Sequence, residues 1–109
     1  MERNRKLYAD IFNAIELVEQ FTSATIDYAK YNIDLKTQSA VERQLAIIGE
    51  ALTQLRKSDE SLFDITSAQQ IISFRNRLIH FYDSIDNAVV WSIIKKHLPL
   101  LKKEIESKF

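Results

Sequence analysis

An all-α bundle is the fold this sequence predicts, and three observations predict it. The 109 residues hold one glycine, Gly49, and one proline, Pro99. An all-β chain needs many tight turns and draws on both residue types to make them. Apolar residues recur in long stripes at steps of 4 and 3, the period of a helix face. Hydrophobic residues make up 46% of the chain, which argues against wholesale disorder. The length suits a single domain over residues 1–109 with one compact core. Four to five helices are expected.

The first helix is predicted over residues 5–22. Leu7, Ile11, Ala14, Val18 and Phe21 step by 4, 3, 4 and 3, and Tyr8, Phe12 and Ile15 widen the stripe. Residues 23–36 are less regular. Thr25 to Lys30 offers a short helix, with Asn32 and Asp34 as turn or N-cap residues. Tyr28 and Tyr31 suit packing and ligand contact equally. The second long helix is predicted over residues 37–57, where Val41, Leu45, Ile48, Leu52 and Leu55 repeat the same steps. Gly49 sits in its middle at a cost of about 1 kcal/mol relative to alanine. Such a residue is tolerated where something approaches the helix backbone closely. Tight helix packing explains it. So does room for the helix that carries His80, with Glu50 or Arg43 supporting that site.

Residues 58–66 read as a polar connection with apolar plugs. Ser67 and Gln70 then fit a capping box, so a central helix is predicted from Ala68 to about Tyr82. Ile71, Phe74, Leu78 and Phe81 would form its buried face. Residues 83–86 interrupt it, and Asp86 can cap a helix over about 87–97 that buries Val89, Val90, Ile93 and either Ile94 or Trp91. Pro99 fits the first turn of a last helix. Leu98, Leu101 and Ile105 form its apolar side, and Lys95, Lys96, Lys102 and Lys103 read as solvated.

Charge and composition exclude several function classes. Fifteen basic and fifteen acidic residues cancel, so binding of nucleic acid by bulk charge is not expected. The balance is slightly uneven: residues 56–109 carry nine basic and seven acidic side chains. No apolar run approaches a membrane span, and the basic N-terminus lacks the apolar segment of a secretory signal. A cytoplasmic protein without membrane attachment is expected. There is no cysteine, and the two histidines, His80 and His97, lie in different segments. No metal site and no cofactor are expected. Neither a phosphate-binding glycine loop nor a Ser-His-Asp order is present.

The chemistry concentrates in Ser73 to Tyr82, where Arg75, Asn76, Arg77, His80 and Tyr82 fall within eight residues. Arginine offers a fixed fork of donors to phosphate. Histidine exchanges a proton near neutral pH. On a helix, Asn76 and Arg77 neighbour His80, whereas Arg75 and His80 diverge by roughly 140°. Either Arg75 curls toward the imidazole, or a two-fold partner brings a second copy of the arc opposite the first. The second arrangement is favoured because isologous dimers are the commonest oligomers. The plainer reading stands beside both: a surface histidine, and arginines paired with acids on neighbouring helices.

Arg75-Asn76-Arg77-Leu78-Ile79-His80-Phe81-Tyr82 resembles the Arg-x4-His-x-Tyr motif of HepT-like proteins, a branch of the HEPN superfamily. Lys36 to Arg43, followed by Ile47-Ile48-Gly49-Glu50-Ala51, is similar to the family's second block. Val90-Trp91 and Leu98-Pro99-Leu100-Leu101 are similar to its C-terminal part. Phe81 stands where an acidic residue is frequent in relatives, and Arg77 is not fixed by the pattern. The resemblance implies a HEPN-type up-and-down bundle that dimerises through its motif-bearing helices. It implies a metal-independent ribonuclease in which Arg75 and His80 are catalytic. In such an enzyme Asn76 would orient His80 or bond the phosphate, with Arg77, Glu50 and Arg43 as further supporting residues. It further implies a toxin paired with a small MntA-like nucleotidyltransferase antitoxin, which transfers AMP to Tyr82. The alternative is a non-catalytic helical subunit that binds nucleotide or presents substrate to such a nucleotidyltransferase. A purely structural dimer is the third reading.

Overall fold

The computed structural model describes residues 2–58, 63–80 and 85–109, with side chains from residue 4 onward. Every element among them is helical. In chain order these are α1 (Glu2–Phe21), α2 (Tyr28–Ile33), α3 (Leu35–Ser58), α4 (Ala68–His80), α5 (Asn87–Ser92), a π-helical turn (Ile93–His97) and α6 (Leu98–Glu106). No helix among them is long and apolar enough to cross a membrane.

The middle of the fold is α3, which packs against α1 on one side and α4 on the other. Val41, Leu45, Ile48 and Leu52 are fully buried along it. Each such side chain stabilises the fold by about 1.5–3 kcal/mol on burial. Leu7, Ile11, Ala14 and Val18 meet them from α1 as the stripe predicts, while Phe21 at its end stays 38% exposed. The molecule measures 41 × 28 × 19 Å, about two helix diameters in its thinnest direction. Helices in so thin a slab keep an open side, and functional side chains can stand there.

Local differences from the sequence reading have identifiable causes. The short helix begins at Tyr28 rather than Thr25, because Asp27 is its N-cap and accepts from Lys30 N at 3.0 Å. Asp34 closes α2 and opens α3, accepting from Thr37 N at 3.0 Å and from Thr37 Oγ1 at 2.6 Å. These bonds hold the Asp34 carboxyl below its ordinary pKa. Tyr31 is a core residue, fully buried against Trp91 with ring centroids 5.6 Å apart, whereas Tyr28 is exposed. Burial pushes the Tyr31 phenol well above its usual range, with Glu42 and Asp34 adding to the effect. Asp86 caps α5 as expected, accepting from Ala88 N at 2.8 Å. The π-helical turn adds one residue to the rod that follows, so that both Ile93 and Ile94 are buried, while Val89 remains 36% exposed. Lys102 is less solvated than expected: it pairs with Glu19 at 2.9 Å and lies over the Phe12 ring.

The expected capping box at the start of α4 is replaced by a contact across the fold. Glu104 of α6 accepts from Thr66 N at 2.8 Å, Thr66 Oγ1 at 2.9 Å, Ser67 N at 3.3 Å and the Ser67 hydroxyl. A carboxylate is a stronger acceptor than the neutral amide of Gln70, so it takes the role the sequence assigned to that residue. Lys108 reinforces the junction through Asp64 at 2.6 Å. Partial burial opposes the charge on Glu104, but the bonds from Ser67 and Thr66 outweigh it and hold its carboxyl below the usual value. A depressed carboxylate pKa contributes stability above the unfolded-state value and loses it as pH falls through the folded one. Glu104→Ala is therefore expected to cost about 1 kcal/mol at pH 7, the usual charged-bond value reduced for solvent access. Thermal unfolding should show a Tm gap to wild type at pH 7 that closes as pH falls below about 4.

The Leu62 plug, Phe81, Tyr82 and the interruption at Asp83-Ser84 lie outside the described residues.

Candidate functional site

Gly49 determines where Arg75 stands. A Cβ added at Gly49 would collide with Arg75 Cβ, lie 2.9 Å from its Cγ and 3.3 Å from the Ile71 carbonyl oxygen. The stem of Arg75 thus lies directly on the backbone of α3. This is the close approach the lone glycine predicts, and it brings in the helix that carries His80.

From that position Arg75 Nη2 donates to Glu50 Oε2 in an ion pair between α4 and α3. Arg75 Nη1 donates to Asn76 Oδ1 at 3.1 Å. Gln54 Nε2 lies 3.4 Å from the other Glu50 oxygen. The guanidinium is therefore held at two points and still has N–H groups to offer a ligand. Asn76 engages Arg75 through its carbonyl oxygen, which is a role the sequence reading did not assign to it.

Arg75 and Glu50 line a cleft of about 380 Å³ between α1, α3 and α4. Arg43 lines it too, so three of the expected site residues meet there. Sequence reasoning missed Asp10, Gln54 and Ile79, which also line it. A signal for Gln54 was present: Arg43, Ile47, Glu50 and Gln54 step by 4, 3 and 4, forming a second stripe on α3 beside its core stripe. Asp10 carried no such signal, because its i,i+4 pairing with Lys6 at 2.9 Å accounts for it locally.

His80 ends α4, exposed, and lines neither this cleft nor the next one. Arg77 faces a different groove, between α4 and α5, with Gln69, Gln70, Ser73, Phe74 and Val89. Arg77 and His80 both occupy the last turn of α4, where the helix dipole favours positive charge. Within one chain, then, Arg43, Glu50, Asn76 and Arg75 come together, Arg77 turns away, and the imidazole stands between the two faces at the helix end.

Comparison with known proteins gives the family of the chain. Residues 11–107 match the family described as Ribonuclease HepT-like. The chain belongs to the HepT-like family. It is 38% identical to a probable ribonuclease HepT of Thermococcus cleftensis, over 97% of this chain and 96% of the relative. It is 35% identical to a putative RNase of Methanocaldococcus jannaschii, over 89% and 88% of the two chains. No solved structure matches it. The HepT-like match spans both the Gly49–Glu50 segment and the Arg75–His80 segment, which the fold places in contact.

Proposed function

We infer that this HepT-like protein is a cytoplasmic, metal-independent RNA endonuclease whose active site is completed by a second copy of the chain. The observation that carries the reading is the divergence of the two reactive side chains. Arg75 is pinned to α3 by Glu50 and by the Gly49 contact, whereas His80 is exposed at the end of the same helix, about 140° around it. A two-fold partner supplies the missing half: Arg75 of one chain opposite His80 of the other.

RNA brings its own nucleophile. His80 removes the proton of a 2′-hydroxyl as that oxygen attacks the adjacent phosphorus, and water protonates the departing 5′-oxygen. Arg75 stabilises charge on the phosphoryl oxygens. The P–O5′ bond breaks as the O2′–P bond forms, leaving a 2′,3′-cyclic phosphate and a 5′-hydroxyl. Asn76 and Glu50 position Arg75, and Arg43 adds positive charge to the cleft. In this reading the enzyme is the toxin of a toxin–antitoxin pair. A nucleotidyltransferase antitoxin silences it by transferring AMP to Tyr82. The added bulk and negative charge would stand two residues from His80, where a phosphate must enter.

Two measurements test this. RNA cleavage should persist in excess EDTA and yield cyclic-phosphate ends; loss of cleavage on chelation would overturn metal independence. Incubation with a small nucleotidyltransferase and ATP should add one AMP mass to wild-type protein and none to Tyr82→Phe. Equal modification of both would remove Tyr82 from the scheme.

The structural alternative, Arg75 as a mere ion-pair residue, has the Glu50 contact in its favour. The two side chains are 24% and 47% exposed. Pairs this accessible contribute about 0–1 kcal/mol, a small return for a mid-helix glycine and a precise stem contact.

A further inference from the structure

We propose that the groove between α4 and α5 is a base-reading subsite for the RNA nucleotide next to the bond being cut, with adenine as the preferred base. This rests on the ribonuclease reading above and adds to it a place and a chemistry for sequence preference. The groove has a volume of about 340 Å³, within the range of about 300–1,000 Å³ typical of small-ligand sites.

Its position follows from helix geometry. Arg77 lies three residues before His80 and is its neighbour on the surface of α4. Ser73 is a further four residues back, about 10 Å along the axis from His80. A strand whose reacting phosphate sits at His80 can therefore lay its next nucleotide along this groove. Arg77 is exposed and has no ion pair among the described residues. Its guanidinium suits the flanking backbone phosphate.

Two polar groups are set for a base edge. Gln69 Nε2 donates to Ser73 Oγ at 3.1 Å, which fixes both side chains and leaves the Ser73 O–H able to donate. Gln70 is the more telling residue. The capping role its sequence position suggests is taken by Glu104, and its exposed carboxamide has no hydrogen-bond partner among the described residues. A free carboxamide presents one donor and one acceptor side by side, the complement of adenine N6 and N7. Phe74, only 3% exposed, and the exposed Val89 give the groove an apolar wall for the face of a base. Single-stranded RNA is read by this combination of apolar contact and edge hydrogen bonds. A nucleotide brings both a base for the apolar wall and a phosphate for Arg77.

The test uses full-length protein and short oligonucleotides with one ribonucleotide at a fixed position and each base in turn on either side. Wild type should favour adenine on one side by about 5- to 150-fold in kcat/KM. Gln70→Ala should erase that preference. Arg77→Ala should raise KM similarly for every sequence, and Arg77→Lys should recover part of it. Gln70 and Arg77 are both exposed, so neither variant threatens folding. Cleavage with a flanking preference that survives Gln70→Ala overturns the subsite and leaves the ribonuclease reading standing. So does an Arg77→Ala defect that appears in sedimentation as lost dimer rather than in KM. Failure of wild type to cut any of the substrates overturns the ribonuclease reading itself, and the subsite with it.

Discussion

His80→Ala is expected to lower RNA cleavage by about 10²- to 10⁴-fold, the contribution of a positioned acid–base group. That is about 3–5 kcal/mol on the barrier. Circular dichroism of the variant should show the helical fold retained, because His80 is exposed and lies outside the buried core. Arg75→Ala is expected to cost about 10²- to 10³-fold through lost stabilisation of the phosphoryl oxygens. Its effect on stability combines the partly exposed Glu50 pair, about 0–1 kcal/mol, with the lost packing of the arginine stem on α3. The decisive measurement mixes the two inactive proteins. If each site takes Arg75 from one chain and His80 from the other, a mixed dimer holds one intact site and one doubly impaired site. Random mixing should then recover about a quarter of wild-type activity. A site built within one chain predicts no recovery, since neither variant carries both groups. An Arg75→Ala protein that cleaves normally but unfolds more easily would return Arg75 to the structural reading.

The split between legible and illegible features follows the range of the interactions. The core stripe of α3 could be read because burial against two neighbours imposes a single period, and Val41, Leu45, Ile48 and Leu52 all obey it. Gly49 could be read because one residue type fits a close backbone approach, although the sequence could not say that the stem of Arg75 makes it. The start of α4 was placed correctly but for an incomplete reason. A capping box is a local pattern, whereas Glu104 reaches Ser67 from 37 residues away and outcompetes it. Arg75 illustrates the same limit. Its helix position gives its direction to within a turn, but the choice among Glu50, Asn76 and the imidazole depends on how closely α4 approaches α3. The grouping of Arg43 with Glu50 was readable from their spacing of seven on one helix. The turn of Arg77 toward α5 was not, because it depends on where the chain returns after His80.

Gly49→Ala brings these strands together, and its sign is decided by magnitudes. In an isolated helix the change would stabilise by about 1 kcal/mol. Here the new methyl group meets Arg75 Cβ, lies 2.9 Å from Arg75 Cγ and is 3.3 Å from the Ile71 carbonyl oxygen. These atoms belong to the backbone of α4 and to the root of a side chain, so rotating the end of the arginine does not relieve the overlap. The helices must part or shift, at about 1–3 kcal/mol. The net expectation is a loss of up to about 2 kcal/mol, measurable by chemical denaturation. Activity should fall further than stability, because moving the Arg75 stem by about 1 Å can cost about 10²-fold. The Arg75→Ala background separates the two effects. Removing Cγ leaves the contacts with residue 75 Cβ and with the Ile71 carbonyl in place, so most of the destabilisation by Gly49→Ala should persist there. The further loss of activity should vanish, since the arginine whose placement it reports is gone. Full stability and full activity in Gly49→Ala would mean that α3 and α4 separate at no cost, and that the glycine does not set the position of the site.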